Sequence, residues 1–257
     1  MTQFHEDLSE RSKTFLGDLR VYLFSSGKKS EDIDDIVEQL EVHLLEAERN
    51  GKPIDKIIGD SPKDYMNQLS SEMTVDVKGW AKYIPFIILG GFSFKIIGDL
   101  VNGNLSYSLL ELFGFLAIAL IFIVTTFASF KFISGRGLSN SQQIMVLFPV
   151  VTLHMGLFIG LIYLNRSLET PVIHFGTTGT IIIASLAVIL VLLISWWAKT
   201  AVLPILLILL FLPEYLLGFS TMQEMTQMTV GLFISYASIA IYIYISFKNT
   251  KEESPNH

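Results

Sequence analysis

The stretch TTGTIIIASLAVILVLLISWW, residues 177–197, contains no charged residue and ends in two tryptophans. At about 1.5 Å rise per residue, a helix of this length reaches roughly 30 Å, the thickness of the hydrocarbon core of a bilayer. In lipid the backbone N–H and C=O groups must be paired inside the protein, so the stretch predicts a transmembrane helix. Trp196, Trp197 and the following Lys199 form the aromatic and basic border typical of a helix leaving the membrane.

Composition extends this interpretation to most of the chain. The sequence is 51% hydrophobic and 16% charged, with a mean hydropathy of +0.52, whereas soluble domains carry about 25% charged residues. Residues 1–78 hold 10 Lys and Arg against 17 Asp and Glu, a net charge of −7, while the remainder holds 8 against 7, or +1. We therefore expect an acidic, water-soluble domain followed by a membrane part. The acidic charge disfavours nucleic acid, and the absence of cysteine excludes disulfides and thiolate metal sites.

Residues 1–78 predict four short amphipathic helices. The first runs from about Ser9 to Ser26, and the second begins at Ser30 with an acidic first turn and ends at Asn50-Gly51. Pro53–Ile58 predicts a short helical turn, and Ser61-Pro62 opens a last helix that reaches about Met73. The predicted fold class is therefore all-α, a small four-helix domain followed by a polytopic transmembrane bundle.

Two stretches of this domain carry a family resemblance. They are FLGDLRVYL at residues 15–23 and EDIDDIVEQLEVHLLEAERNGKPIDKIIGDSPKDYMNQL at residues 31–69. Over about residues 11–73 the chain resembles the HAAS domain, a small helical module of Gram-positive bacterial membrane proteins that is related to the DUF1700 group. The resemblance implies a cytoplasmic module fused to a transmembrane bundle, with no catalytic residues. It also implies a regulatory or signalling role, because such domains are often encoded beside PadR-type transcription regulators.

Hydropathy predicts six membrane spans in the rest of the chain. They are Tyr83–Val101, Tyr107–Phe130, Ile144–Leu164, Thr177–Trp197, Thr200–Phe219 and Thr229–Phe247. The fourth and fifth spans are joined so closely that we expect a tight antiparallel hairpin. The predicted domains are then residues 1–78, a six-span region at residues 79–248 and a disordered polar tail at residues 249–257.

Basic residues in the short loops predict the orientation of these spans. With the N-terminus inside the cell, seven basic residues flank the spans on the cytoplasmic side and two on the outer side. The cytoplasmic group is Lys78, Lys82, Lys131, Arg136, Lys199, Lys248 and Lys251, and the outer group is Lys95 and Arg166. We therefore expect a multi-pass protein of the bacterial cell membrane with both termini in the cytoplasm.

Ionisable residues within the spans form a candidate polar site. Lys95 and Asp99 are four residues apart on the first span, so they share a helix face and can pair. Glu111 begins the second span, and Glu214 lies late in the fifth. Charged groups at such depth are costly and often functional, so these four could bind a cationic or zwitterionic ligand near the outer leaflet. Alternatively, Lys95 snorkels outward and the acids lie at headgroup level.

The third span contains a second group of candidates. His154 lies near its middle and could relay protons, sense pH or make a single interhelical hydrogen bond. Gly156 and Gly160 in GLFIG form a GxxxG pattern, which predicts close helix packing. In the fifth span Pro213 precedes Glu214, so a freed backbone carbonyl and a carboxylate coincide there.

Three functions remain open. In the first, a regulatory or signalling protein, the acidic second helix binds a cytoplasmic partner, possibly a transcription regulator, while the bundle senses or anchors. The candidate partner-binding residues are Asp34, Asp35, Glu38 and Glu41. The second is a small permease-like transporter subunit, which could act as a homo-oligomer. The third, an intramembrane enzyme, lacks a catalytic pair and every common catalytic, nucleotide or metal motif, so we expect no enzyme activity, cofactor or metal.

Overall fold

The computed structural model describes residues 8–59, 61–100, 103 and 105–252, and it is 81% helical. This confirms the predicted helical class. The elements are α1 (Glu10–Ser25), α2 (Ser30–Arg49), α3 (Asp55–Ile58), α4 (Pro62–Glu72), α5 (Val77–Leu100), β1 (Ser106–Ser108), α6 (Leu109–Ser134), α7 (Asn140–Ser167), β2 (Val172–His174), α8 (Gly176–Trp197), α9 (Val202–Leu217) and α10 (Glu224–Glu252).

Two compact units make up the chain. The first combines Met1–Pro85 with Leu110–Glu169, and the second combines Phe86–Leu109 with Thr170–His257. The first unit therefore contains α1–α4 together with α6 and α7, and the second contains α8–α10 with the two short strands. These units are defined by contacts between residues. The predicted boundary between residues 78 and 79 separates a water-soluble domain from a membrane domain, and it stays a prediction.

Helices α1–α4 share one hydrophobic core in the first unit. Leu19, Leu23 and Leu44 are fully buried, and the predicted apolar face of α1 points into this core. The remaining members of the core are Leu8, Phe15, Leu16, Tyr22, Ile33, Val37, Leu40, Leu45, Ile54, Ile58 and Met66. We call this four-helix assembly the head.

Side-chain caps fix the helix ends of the head. Ser9 caps α1, and Glu48 near the end of α2 accepts hydrogen bonds from the Ser9 backbone N–H at 2.9 Å and from the Ser12 hydroxyl at 2.6 Å. Ser61 caps α4, as the sequence predicts, by accepting from the Asp64 backbone N–H at 3.2 Å. These bonds satisfy backbone donors that a helix N-terminus leaves without intrahelical partners.

Among the described residues, five helices are long and apolar enough to cross a membrane, namely α5, α6, α7, α8 and Met225–Ser246 of α10. The predicted fifth span corresponds to α9, which has only 16 residues and reaches about 24 Å. Length and composition therefore support five of the six predicted spans. The crossing by α9 stays a prediction.

The ends of the helices differ from those of the predicted spans, and three of the differences bear on the predicted domains. Helix α5 begins at Val77, ahead of the predicted first span, which starts at Tyr83. Helix α6 begins at Leu109, because Tyr107 belongs to β1. Helix α10 continues to Glu252, so it includes residues 249–252 of the predicted disordered tail. The other residues of that tail, 253–257, lie outside the described chain.

The second unit contains the predicted tight hairpin. Residues 198–201 join α8 to α9, and Lys199 has a φ of 51°, in the left-handed region. The turn closes with a hydrogen bond from the Thr200 N–H to the Ser195 carbonyl at 3.0 Å. Helix α9 then packs on α10, where the buried Ser235 hydroxyl donates to the Leu210 carbonyl at 2.8 Å.

Candidate functional site

The predicted pair of Lys95 and Asp99 forms on α5, and Tyr107 joins it. Lys95 Nζ lies 2.7 Å from Asp99 Oδ2, and the Tyr107 hydroxyl donates to the same oxygen at 2.8 Å. Lys95 Nζ also lies 5.0 Å from the centroid of the Tyr107 ring. The carboxylate therefore has a cation and a neutral donor, the pairing that a charge needs when it is removed from bulk water.

The short strand β1 positions Tyr107, which is 6% exposed. β1 pairs antiparallel with β2, with Tyr107 opposite Ile173. The preceding Leu105 donates its N–H to Thr180 Oγ1 at 3.0 Å. This role of Tyr107 was not predicted, because the predicted second span begins at Tyr107. The polar triplet Ser106–Ser108 is the signal that could have revealed a strand there.

Within this cluster each group contacts the other two, so the charges are matched internally. Such an arrangement ties the end of α5 to β1 and stabilises the chain at this point. A site for a charged ligand would instead present a group that the protein itself leaves unmatched. The geometry therefore favours a structural role for Lys95 and Asp99.

The two predicted glutamates lie on α6 and α9. Glu111 is half-buried in the first turn of α6 and belongs to the first unit. Glu214 is half-buried on α9 in the second unit, where its Cα would lie 3.4 Å from a Cβ added at Gly231 of α10. Its carboxylate makes no hydrogen bond or ion pair with the residues that the structure describes, so close packing of α9 on α10 positions Glu214.

His154 is 5% exposed on α7 and bonds to its own helix. Its Nδ1 lies 2.5 Å from the Val150 carbonyl oxygen, which can only accept, so Nδ1 carries a proton. Nε2 is buried without a hydrogen-bond partner in the described part of the chain. The ring packs edge-on against Phe122 of α6 at 4.8 Å. The hydrogen bond thus lies within α7, and the contact between helices is aromatic.

Gly156 and Gly160 make no close helix contact within the described chain, since no atom lies within 4 Å of a Cβ added at either. The close approach of α6 and α7 occurs at Gly114 instead, where an added Cβ would lie 2.4 Å from Leu161 Cδ1. The close packing predicted at Gly156 and Gly160 therefore stays a prediction, and Gly114 is a packing position that the GxxxG pattern did not include. A lone glycine such as Gly114 carries no sequence signal that distinguishes it.

Aromatic residues join the head to the membrane helices of the first unit. The ring centroid of Phe24 on α1 lies 5.6 Å from that of Trp80 on α5 and 5.8 Å from that of Phe127 on α6. The Trp80 and Phe127 centroids are 4.7 Å apart. Next to them, Tyr22 lies under Lys131 Nζ at 5.0 Å from the ring centroid. A Cβ at Gly135 would come within 3.0 Å of the Tyr22 ring. We call this group of contacts the joint.

Two cavities lie beside the joint, and Asp18 of α1 lines both. The first, the junction cavity, has a volume of about 690 Å³ and lies between α1, the start of α2, α6 and α7. The second, the rim cavity, has a volume of about 570 Å³ and lies between α1, α3, α4 and the turn after α6. Asp18 is half-buried, and its carboxylate makes no hydrogen bond or ion pair with the described residues. Burial raises the pKa of Asp18 from 3.8 to about 6.

The acidic residues of α2 are mostly open to solvent. Asp35 and Glu38 are exposed, and Glu41 is half-buried. Asp34 forms an exposed ion pair with Arg20 of α1 at 3.1 Å. Three of the four predicted partner-binding carboxylates are thus accessible on one helix. Among the described residues, no group of three His, Cys, Asp or Glu side chains could hold a metal ion.

Comparison with known families identifies the membrane part. Residues 94–210 match the family model of the HAAS transmembrane region. The comparisons with curated proteins and with solved structures gave no match. The matched segment runs from the end of α5 into α9 and lies outside residues 11–73, on which the resemblance was drawn. Together with the five apolar helices, the match confirms the resemblance to HAAS-domain membrane proteins: this chain is a membrane protein whose residues 94–210 are similar to the HAAS transmembrane region.

Proposed function

We propose that this protein is a regulatory membrane protein, in which the head binds a protein partner in the cytoplasm and the membrane helices anchor it and control it. One observation carries the proposal: α1 packs directly on the end of α6 and the start of α5. A head that served only as a soluble appendage would need no such contacts.

The joint supplies a route from membrane to head. Phe24 touches both Trp80 and Phe127, and Tyr22 fits against Gly135. Packed side chains of this kind deform little, so a shift or rotation of α6 displaces α1 or breaks the contact. Either response changes the surface that the head presents to a partner.

The acidic face of α2 is the proposed partner surface. Asp35 and Glu38 are exposed, and the 49% exposed Val42 lies one turn further along the same helix. Carboxylates around an apolar side chain suit a basic partner surface with a small apolar contact at its centre. The family resemblance supports a transcription regulator as the class of partner. The proposal requires both termini in the cytoplasm, which the distribution of basic residues supports, and it includes no catalytic role and no cofactor.

Photo-crosslinking in intact cells tests the partner surface on the full chain. A photoreactive phenylalanine derivative replaces the exposed Gln39, which lies between the acidic side chains. We expect one major adduct with a protein of basic surface, reduced at least severalfold by Asp35→Asn combined with Glu38→Gln. Charge complementarity mainly sets the rate of encounter, so removing the two carboxylates should slow the formation of the adduct.

The matched control is Glu72→Gln, which removes an exposed charge from α4 instead. It should leave the adduct unchanged. An adduct that is equally strong with and without the two α2 carboxylates would contradict the proposed surface.

No particular contact favours transport. In the Lys95–Asp99–Tyr107 cluster, the charge of Asp99 is already paired with that of Lys95.

A further inference from the structure

Asp18 is a carboxylate that the fold leaves without a counter-charge. It lies at the wall shared by the junction cavity and the rim cavity, and it is half-buried with no ion pair to a described residue. A carboxylate in that position costs free energy unless a cation or donor reaches it. The free protein therefore holds an unmatched negative charge beside empty volume.

The nearby charged residues are mostly engaged elsewhere. Arg20 pairs with Asp34 at 3.1 Å, and Arg11 donates to Asp55 at 3.1 Å. Lys13 pairs with Glu10 at 3.0 Å, and Arg136 lies over the Phe132 ring at 4.0 Å from its centroid. Lys63, at the rim cavity, is exposed. The charged groups that line the two cavities with Asp18 are Glu10, Arg11, Arg20, Asp34, Lys63 and Arg136.

Beyond Asp18, the junction cavity is largely apolar and aromatic. Phe24, Phe127 and Phe130 line it, together with Ile133 and Leu147. Its volume of about 690 Å³ lies within the range of roughly 300–1,000 Å³ typical of small-molecule sites. Aromatic faces attract cations as well as apolar groups. The combination of one unmatched carboxylate with aromatic walls suits an ammonium group attached to an apolar body.

We propose that the junction cavity binds an organic amine, with its ammonium group at Asp18 and its apolar body against Phe24, Phe127 and Phe130. The ligand would touch both sides of the joint, so its binding would stiffen the contact between the head and α6. This inference deepens the proposed regulatory role by naming a class of signal. Ligand binding is nevertheless a property of the purified protein and does not require the partner.

The pKa of Asp18 supplies a second signature. Burial raises that pKa to about 6, so the carboxyl must lose its proton before it can hold an ammonium group. An amine with a pKa near 10 stays charged throughout the range of interest. Its affinity should therefore rise about tenfold between pH 5 and pH 7.5, which is the ratio of ionised Asp18 expected for a pKa of about 6.

The test compares 4-phenylbutylamine with 4-phenylbutanol and 4-phenylbutyrate, which share one apolar body. Binding is measured by isothermal titration calorimetry on the full chain in lipid nanodiscs, with empty nanodiscs subtracted. We expect the amine to bind most tightly, to lose about tenfold in affinity in Asp18→Asn, and to lose its dependence on pH in that variant. The alcohol should bind equally to both proteins.

Two further variants make the result decisive. Asp18→Glu keeps the charge and should retain amine binding, while Glu46→Gln removes an exposed charge of α2 and should change nothing. Equal binding of amine and alcohol, or tightest binding of the carboxylate, would overturn the proposal. Unchanged amine affinity in Asp18→Asn would also overturn it. Neither result would affect the crosslinking test of the partner surface.

Discussion

Asp18 and Glu48 are two carboxyl groups of the head whose pKa values move in opposite directions. Burial without a compensating partner raises the pKa of Asp18 to about 6. Burial also acts to raise the pKa of Glu48, but hydrogen bonds from Ser12 and Ser9 to its carboxylate outweigh it, and the pKa is lowered from 4.5. The difference arises from donors: Glu48 faces the capped start of α1, whereas Asp18 faces cavities.

These shifts predict opposite effects of pH on the stability of the head. Folding raises the pKa of Asp18 from 3.8. The stability that the protonated Asp18 gives the folded head is therefore complete below pH 3.8 and is lost as the pH rises through about 6. Glu48 contributes above pH 4.5, and its contribution is lost as the pH falls through its lowered pKa. We expect Asp18→Asn to abolish the decline in melting temperature between pH 4 and pH 6.

The measurement is the thermal unfolding of the full chain in nanodiscs, followed by fluorescence of Trp80 after Trp196 and Trp197 are replaced by Phe. Trp80 lies in the joint and therefore reports on the head. Glu48→Gln should instead lower the melting temperature at pH 7 and reduce its loss in acid. If Asp18→Asn kept the decline of the wild-type protein, burial at this residue would not be its cause.

At the scale of elements, the contact between α6 and α7 depends on Gly114. A side chain at this position meets Leu161, which is 7% exposed, whereas the space beside Gly156 is open in the described chain. Overpacking a closely packed contact costs about 1–3 kcal/mol.

The same substitution on the two helices therefore makes a matched comparison. We expect Gly114→Ile to lower the stability of the first unit by about 1–3 kcal/mol, and Gly156→Ile to leave it almost unchanged. Urea or SDS titration in mixed micelles measures both. A loss at Gly156 equal to that at Gly114 would contradict the assignment and would point to packing of Gly156 against a second copy of the chain.

Periodicity and hydropathy predicted the elements that depend on local sequence. The apolar face of α1, the Ser61-Pro62 start of α4 and the charge-free run of α8 were all visible in the chain. Pairing between β1 and β2 was not, because more than sixty residues separate Tyr107 from Ile173 and three-residue strands have no period. The Tyr107 partner of Asp99 and the cavities beside Asp18 were missed for the same reason, since they depend on which segments meet.

At the scale of the whole molecule, the path of α9 sets the number of membrane crossings. If α9 crosses the membrane, the head and the end of α10 lie on the same side. If α9 enters and returns, they lie on opposite sides. The 16 residues of α9 fall below the roughly 17–25 that a spanning helix uses.

Cysteine labelling can decide this directly, because the chain contains no cysteine and each introduced thiol is unique. We expect Glu46→Cys, Ser141→Cys and Lys248→Cys to react only from the cytoplasmic side with a membrane-impermeant maleimide. Glu169→Cys should react only from the outer side. Labelling of Lys248→Cys from outside, with Glu46→Cys labelled from inside, would show that α9 does not cross.

The length of α9 also has a consequence for the surrounding lipid. If α9 crosses, a helix that reaches about 24 Å in a hydrocarbon layer of about 30 Å compresses the nearby acyl chains, at a cost of fractions of a kcal/mol per ångström. Because α9 packs closely on α10 through Ser235 and Gly231, it cannot relieve this mismatch by moving alone. Short-chain lipids should therefore gather around this pair of helices, and the protein should drift towards the thinner regions of its membrane.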